Sequence, residues 1–90
     1  MEDKKLNRVA VIIHGEEYTV TGEENAEYIQ MLAAYVDRRM SLIQKRNPSL
    51  STSRVAVLAV LNIADELNKL QDDYDDILKA LDEEKKKHQA

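Results

Sequence analysis

The side chains that could carry chemistry in this 90-residue chain are few, and their spacing suits none of the common reactions. Cysteine is absent, which excludes disulfides, thiolate metal ligands and a cysteine nucleophile. The two histidines, His14 in a turn and His88 near the last residue, have no second histidine at a ligating interval. Each reads as a solvated residue. Asp72, Asp73, Asp75 and Asp76 form the densest run of carboxylates. A calcium loop needs a central glycine and a closing glutamate at fixed offsets, whereas these aspartates flank Tyr74 in a helical pattern. A solvated helix face is the better reading. Gly15 and Gly22 do not make a glycine-rich phosphate turn, and no serine or threonine stands with a histidine and an acid at a triad-like spacing. No enzymatic activity, metal or cofactor is expected.

The remaining polar feature is a set of cations. Arg38, Arg39, Lys45, Arg46 and Arg54 gather around the end of one apolar-periodic segment and the start of the next. Two readings stay open: long surface side chains lying along apolar neighbours, or a docking patch for an acidic protein segment. The charge balance rejects a nucleic-acid site. Residues 1–54 carry eight basic and eight acidic side chains, and residues 55–90 carry five against nine, so the second part holds the whole net charge of −4. Neither a duplex nor an anionic membrane surface would be drawn to it. The charged segment Met1–Asn7 does not read as a signal peptide. The longest apolar-rich run, Val55–Ala64, has nine apolar residues in ten, well short of the roughly 20 a bilayer span needs. A cytoplasmic protein without membrane insertion is expected.

Three elements must position these side chains. Leu6–Ile13 alternates with Val9, Val11 and Ile13 on one face and Arg8, Ala10 and Ile12 on the other. His14-Gly15-Glu16-Glu17 interrupts it and Tyr18-Thr19-Val20 resumes it, a hairpin in which Gly15 is expected to supply the positive φ at the first loop position. A lone hairpin is not stable in water, so both faces need cover. Thr21-Gly22-Glu23-Glu24 fits a capping box opening a helix that runs to about Arg46. That helix has an apolar stripe of Ile29, Leu32, Ala33, Val36, Met40 and Ile43, and a second edge of Tyr28, Met31, Tyr35 and Leu42. One small hairpin cannot cover both. Asn47-Pro48 stops the helix, because a residue before proline avoids the α region.

Ser51 is a candidate N-cap for a last helix with no breaker from Thr52 to His88. Its heptads are regular, with a positions at Val60, Leu67, Tyr74 and Leu81 and d positions at Ala56, Ile63, Leu70 and Ile77. Eight consecutive apolar sites at alternating intervals of four and three specify a coiled coil. Val57, Leu58 and Leu61 are apolar outside the seam, so the start of this helix must be surrounded; between Leu67 and His88 the large apolar residues are those of the seam and Leu78. Asn62 is either a specificity device or a residue on the outer face. The expected fold is α+β: a head of hairpin and helix over residues 1–50, then a long coiled-coil helix over residues 51–90, forming one structural unit.

In order and spacing these segments resemble the ZapA family of bacterial cell-division proteins. The resemblance rests on Ile13-His14-Gly15-Glu16-Glu17-Tyr18-Thr19-Val20 before a long helix, on Asn47-Pro48, and on Ala56-Val57-Leu58 and Leu61-Asn62-Ile63-Ala64-Asp65-Glu66-Leu67 opening the last helix. It covers essentially the whole chain, and the short C-terminal helix with its Asn-Pro linker is similar to the versions from Gram-positive bacilli. The resemblance implies a dimerising head, a long helix joining two dimers into an antiparallel tetramer, and binding of FtsZ filaments that are thereby cross-linked at the mid-cell division ring. It also implies that charged and exposed residues of the head and its junction with the long helix meet the filament, here Arg38, Arg39, Lys45, Arg46 and Arg54, with Leu58 as an apolar contact. The alternative is a coiled-coil oligomerisation or adaptor module with an unrelated protein partner.

Overall fold

The computed structural model describes residues 5–87, so His88 lies outside the described residues. Four elements follow one another: β1 (Asn7–Ile13), β2 (Glu16–Gly22), α1 (Ala26–Arg46) and α2 (Thr52–Lys87). The strands pair antiparallel from Ile13 opposite Glu16 to Asn7 opposite Gly22. The expected alternation is present, with Val9 and Val11 buried, Ile13 half-buried, and Arg8, Ala10 and Ile12 exposed. The turn differs in detail. Both loop residues have positive φ, 53° at His14 and 79° at Gly15. This is the primed turn that matches strand twist, and Gly15 occupies its second position, not its first. His14 accepts a conformation that disfavours most side chains, and its backbone N–H donates to Asp37 Oδ1 at 2.7 Å.

The capping box at Thr21–Glu24 does not form. β2 extends through Gly22, because pairing with the whole of β1 satisfies more backbone groups than an earlier helix start would. Asn25 caps α1 instead, its extended backbone letting Oδ1 accept from Tyr28 N–H at 2.8 Å. The last helical residue, Arg46, is the one the Asn-Pro pair predicts. Beyond it Gln44 Nε2 reaches the carbonyl oxygens of Asn47, Pro48 and Leu50 at 3.1–3.3 Å, closing the linker that proline leaves short of donors. Ser51 opens α2, its Oγ accepting from Arg54 N–H at 3.3 Å and its carbonyl from Val55 N–H at 3.0 Å.

The chain divides between Ala59 and Val60 into two units. In the first, Val9, Val11, Ile29 and Ala33 form one buried cluster, and Met40, Ile43, Val55 and Ala59 form another. Ile13 packs against both, so the hairpin, α1 and the first two turns of α2 share one continuous core. α1 lies beneath β1. Gln30 Nε2 donates to Ala10 O at 2.8 Å and Asn7 Nδ2 to Glu24 O at 2.7 Å, which fixes β1 over the helix. The second unit is the rest of α2, where Lys69 pairs with Asp65 and Lys86 with Asp82 one turn away.

Candidate assembly and docking surfaces

Within residues 60–87, most of the apolar side chains of α2 are exposed. Val60, Leu67, Leu70, Tyr74, Ile77 and Leu81 are all exposed, Ile63 is half-buried, and Leu78 widens the stripe near its far end. Apart from Ile63, the heptad positions from Val60 to Leu81 are open to solvent, the surface a coiled-coil partner would cover. Ala56, the first seam residue, is half-buried against the Met40–Ile43–Val55 cluster. The acids at residues 72, 73, 75 and 76 face solvent, and among the described residues no group of three or more carboxylates and histidines could hold a metal ion. No helix of the described residues is long and apolar enough to cross a membrane.

α1 shows both of its apolar edges. Ile29, Ala33, Met40 and Ile43 are buried, and Tyr28, Met31, Tyr35 and Leu42 are exposed. Leu32 departs from the expected stripe: it is 45% exposed and stands between the two edges. It lies on the flank of α1 that faces Val20. An open apolar groove results, lined by Val20, Leu32 and Val36.

The basic residues fall into two groups. Arg38, Lys45 and Arg46 are exposed on α1, the last two in its final turn, where cations complement the helix dipole. Arg39 is held: its guanidinium lies 5.3 Å from the centre of the Tyr35 ring and donates to the Tyr35 hydroxyl at 3.2 Å. Arg54 stands apart from these in the first turn of α2. With Leu50, Ser53, Val57 and Leu58 it lines an open cleft of about 300 Å³ whose walls are largely apolar. Of the candidate contact residues, Arg54 and Leu58 line this cleft together. Leu50 and Val57 complete it and escaped the sequence reading, although Val57 had been marked as apolar outside the seam. Elsewhere in the head, Tyr18 donates its hydroxyl to Glu16 Oε2 at 2.9 Å. That bond and then the carboxylate's charge raise the phenol above its ordinary value. In the tail, the hydrogen bond to Asp65 and then its charge raise Lys69 in the same way.

A small hairpin-and-helix head followed by a long helix with an exposed heptad stripe defines a head-and-arm protein of the coiled-coil class. The family model "Cell division protein ZapA" matches residues 9–90. The chain is 41% identical over 85 residues to the cell division protein ZapA of Geobacillus thermodenitrificans, covering 94% of this chain and 93% of that one. It is 39% identical to the protein of the same name from Geobacillus sp. strain WCH70, with 94% and 98% covered. The ZapA of Bacillus thuringiensis strain Al Hakam shares 38% over 86% of each chain. Among solved structures, a ZapA mutant dimer from Geobacillus stearothermophilus is similar at a TM-score of 0.69 and 34% identity, with 90% of this chain and 94% of that chain covered. The chain belongs to the ZapA family of cell-division proteins, whose members are non-enzymatic, and its relatives lie among the Gram-positive bacilli.

Proposed function

We propose that this protein binds FtsZ in the cytoplasm and cross-links its filaments, stabilising the division ring at mid-cell. Residues 1–50 act as a dimerising head. Residues 51–90 act as the coiled-coil helix, through Ala56, Val60, Ile63, Leu67, Leu70, Tyr74, Ile77 and Leu81. Two dimers join antiparallel, so that binding heads at both ends of the assembly hold two filaments at once. Such bivalency turns weak single contacts into firm bundling. The observation that carries this reading is the wet heptad seam of α2 in a chain of this family. Filament contact is assigned to the cations Arg38, Arg39, Lys45, Arg46 and Arg54, which suit an acidic segment, and to Leu58, which lines an apolar cleft with Arg54.

The test uses purified polymerising FtsZ with the full chain, read by light scattering and by sedimentation. Scattering and pelleted FtsZ should rise with added protein and saturate. No rise at saturating amounts refutes the reading.

A further inference from the structure

We propose that Gln44 is a positioning residue for the cleft at the start of α2: its side-chain amide clamps the Asn47–Leu50 linker, so that Leu50 stands as a wall beside Arg54 and Leu58. The proposal rests on the reading that Arg54 and Leu58 meet FtsZ. It assigns a residue that shapes their site without touching the filament.

Four of the residues lining the cleft, Ser53, Arg54, Val57 and Leu58, belong to one stretch of α2. Their spacing places them on adjoining rows of a single helix surface, and the intrahelical hydrogen bonds hold them there. Side chains on one helix make a ridge; a cleft needs a wall from elsewhere. Leu50 is that wall, and it lies between the helices, past the end of α1 at Arg46 and before the start of α2 at Thr52. It is half-buried, packed against the cluster of Met40, Ile43, Val55 and Ala59. The depth of the cleft is therefore set by the path of the linker.

The linker has few bonds of its own. Pro48 brings no N–H, and the backbone bond inside the turn runs from Leu50 N–H to Asn47 O at 3.1 Å. The carbonyl oxygens of Asn47, Pro48 and Leu50 converge instead on Gln44 Nε2, at 3.3, 3.1 and 3.3 Å. Among the described residues no other donor meets the carbonyls of Pro48 or Leu50. Three carbonyl oxygens aimed at one point repel each other unless a donor stands there, and the amide offers two hydrogens for them to share. Asn47 does not duplicate this bond, because its Nδ2 turns back to Ile43 O at 3.3 Å. Without the donors of Gln44 the linker carbonyls must turn to water, and Leu50 moves with them. α2 itself stays in place, since Val55 and Ala59 are buried against Met40 and Ile43 and the Val55 N–H is bonded to Ser51 O. The clamp thus governs the cleft more than the fold.

The test uses the full chain with two neutral variants, Gln44→Met and Gln44→Leu, which remove the donors and leave the charge of the basic patch unchanged. Exchange of the Leu50 amide hydrogen, followed by NMR, should quicken about tenfold, while exchange at Val55 stays as in the native chain. The dissociation constant for polymerised FtsZ, read by sedimentation, should rise about tenfold, with native mass and an unchanged urea midpoint. Leu50→Ala should weaken binding to a similar degree. The double variant of Gln44→Met and Leu50→Ala should bind no worse than the weaker single variant, because both changes act through one wall. Losses that multiply would show Gln44 meeting the filament itself, and overturn the proposal. Loss of affinity matched by an equal loss of unfolding free energy overturns it as well, by making Gln44 a general stabiliser. Native FtsZ binding together with an undisturbed Leu50 amide in both Gln44 variants overturns the clamp and leaves the filament reading intact. A native chain that does not bind FtsZ overturns the filament reading, and the positioning role with it.

Discussion

Replacing Ile77 by glutamate should separate assembly from head folding. Ile77 is a d residue in the unit that begins at Val60, and 59% of it is exposed in the single chain. Full burial of an isoleucine is worth about 1.5–3 kcal/mol, so burying the exposed part in a seam recovers roughly 1–2 kcal/mol per copy. Four copies in a tetramer contribute on the order of 4–7 kcal/mol. Ile77→Ala forgoes most of that. Ile77→Glu forgoes it and also brings a carboxylate into a dry seam, at several kcal/mol for each charge left unpaired. Because about 1.4 kcal/mol is tenfold in affinity, the alanine variant should weaken assembly by several decades and the glutamate variant should abolish it at micromolar concentration. Sedimentation equilibrium over a concentration series reads the mass directly. The head core of Val9, Val11, Met40 and Val55 lies in the other unit, so urea unfolding of the head should be retained. Filament binding should persist while bundling falls. If Ile77→Glu keeps the native mass at the lowest concentration, the seam does not run through the heptad positions, and the cross-linking mechanism built on it fails.

Other outcomes follow from the same geometry. Ile43→Ala empties a position packed between hairpin, α1 and α2, and should lower the unfolding free energy by about 2–5 kcal/mol in urea titrations. His14→Asn gives the turn the residue pair its positive φ values favour, and should raise stability by up to about 1 kcal/mol, a few degrees in Tm. Tyr18 should titrate above the ordinary tyrosine range in ultraviolet difference spectra, and Glu16→Gln should lower the midpoint. The neutral phenol is the bonded form, so this contribution is intact below the ordinary tyrosine pKa and is lost as pH rises through the raised one. Cysteines placed at Asp65 and Lys85 in separately labelled chains should cross-link efficiently with each other; dominant 85–85 products between dimers would show parallel arms and remove the two-ended mechanism.

The long last helix was legible because its apolar stripe is a periodic property of one segment: Val60 to Leu81 repeats whatever the rest of the chain does, and α2 runs through it unbroken. The stop at Arg46 was legible for a similar reason, since proline acts locally. The start of α1 was not. Thr21-Gly22-Glu23-Glu24 satisfies a local capping rule, but the strand partner across the hairpin outbids it, and that partner is far away in sequence. Leu32 was misplaced because helical spacing defines an angle, whereas burial depends on how far the hairpin extends over that angle. The cleft of Leu50, Arg54, Val57 and Leu58 needs the Asn-Pro linker folded back beside the first turns of α2, which no periodicity encodes.

Arm polarity shows how the legible and illegible parts combine. The a and d residues supply attraction in either orientation, so they cannot choose between parallel and antiparallel arms. Charge order can. Residues 65–76 hold six carboxylates against Lys69 alone, while residues 79–87 hold four lysines against three carboxylates. Parallel arms in register would set acid beside acid through the middle of the bundle. An antiparallel overlap centred near Tyr74–Ile77 brings the acids of 65–72 towards the lysines of 79–87. Each exposed pair is worth at most about 1 kcal/mol and is screened by salt, but the choice depends on the difference between two arrangements with the same seam. Two of these cations, Lys69 and Lys86, are already paired within their own helix, to Asp65 and Asp82. That lessens the attraction available between arms, so in the proposed antiparallel tetramer like-charge repulsion in the parallel alternative would be the larger part of the preference. Raising the ionic strength should therefore increase parallel 85–85 products before it reduces total assembly.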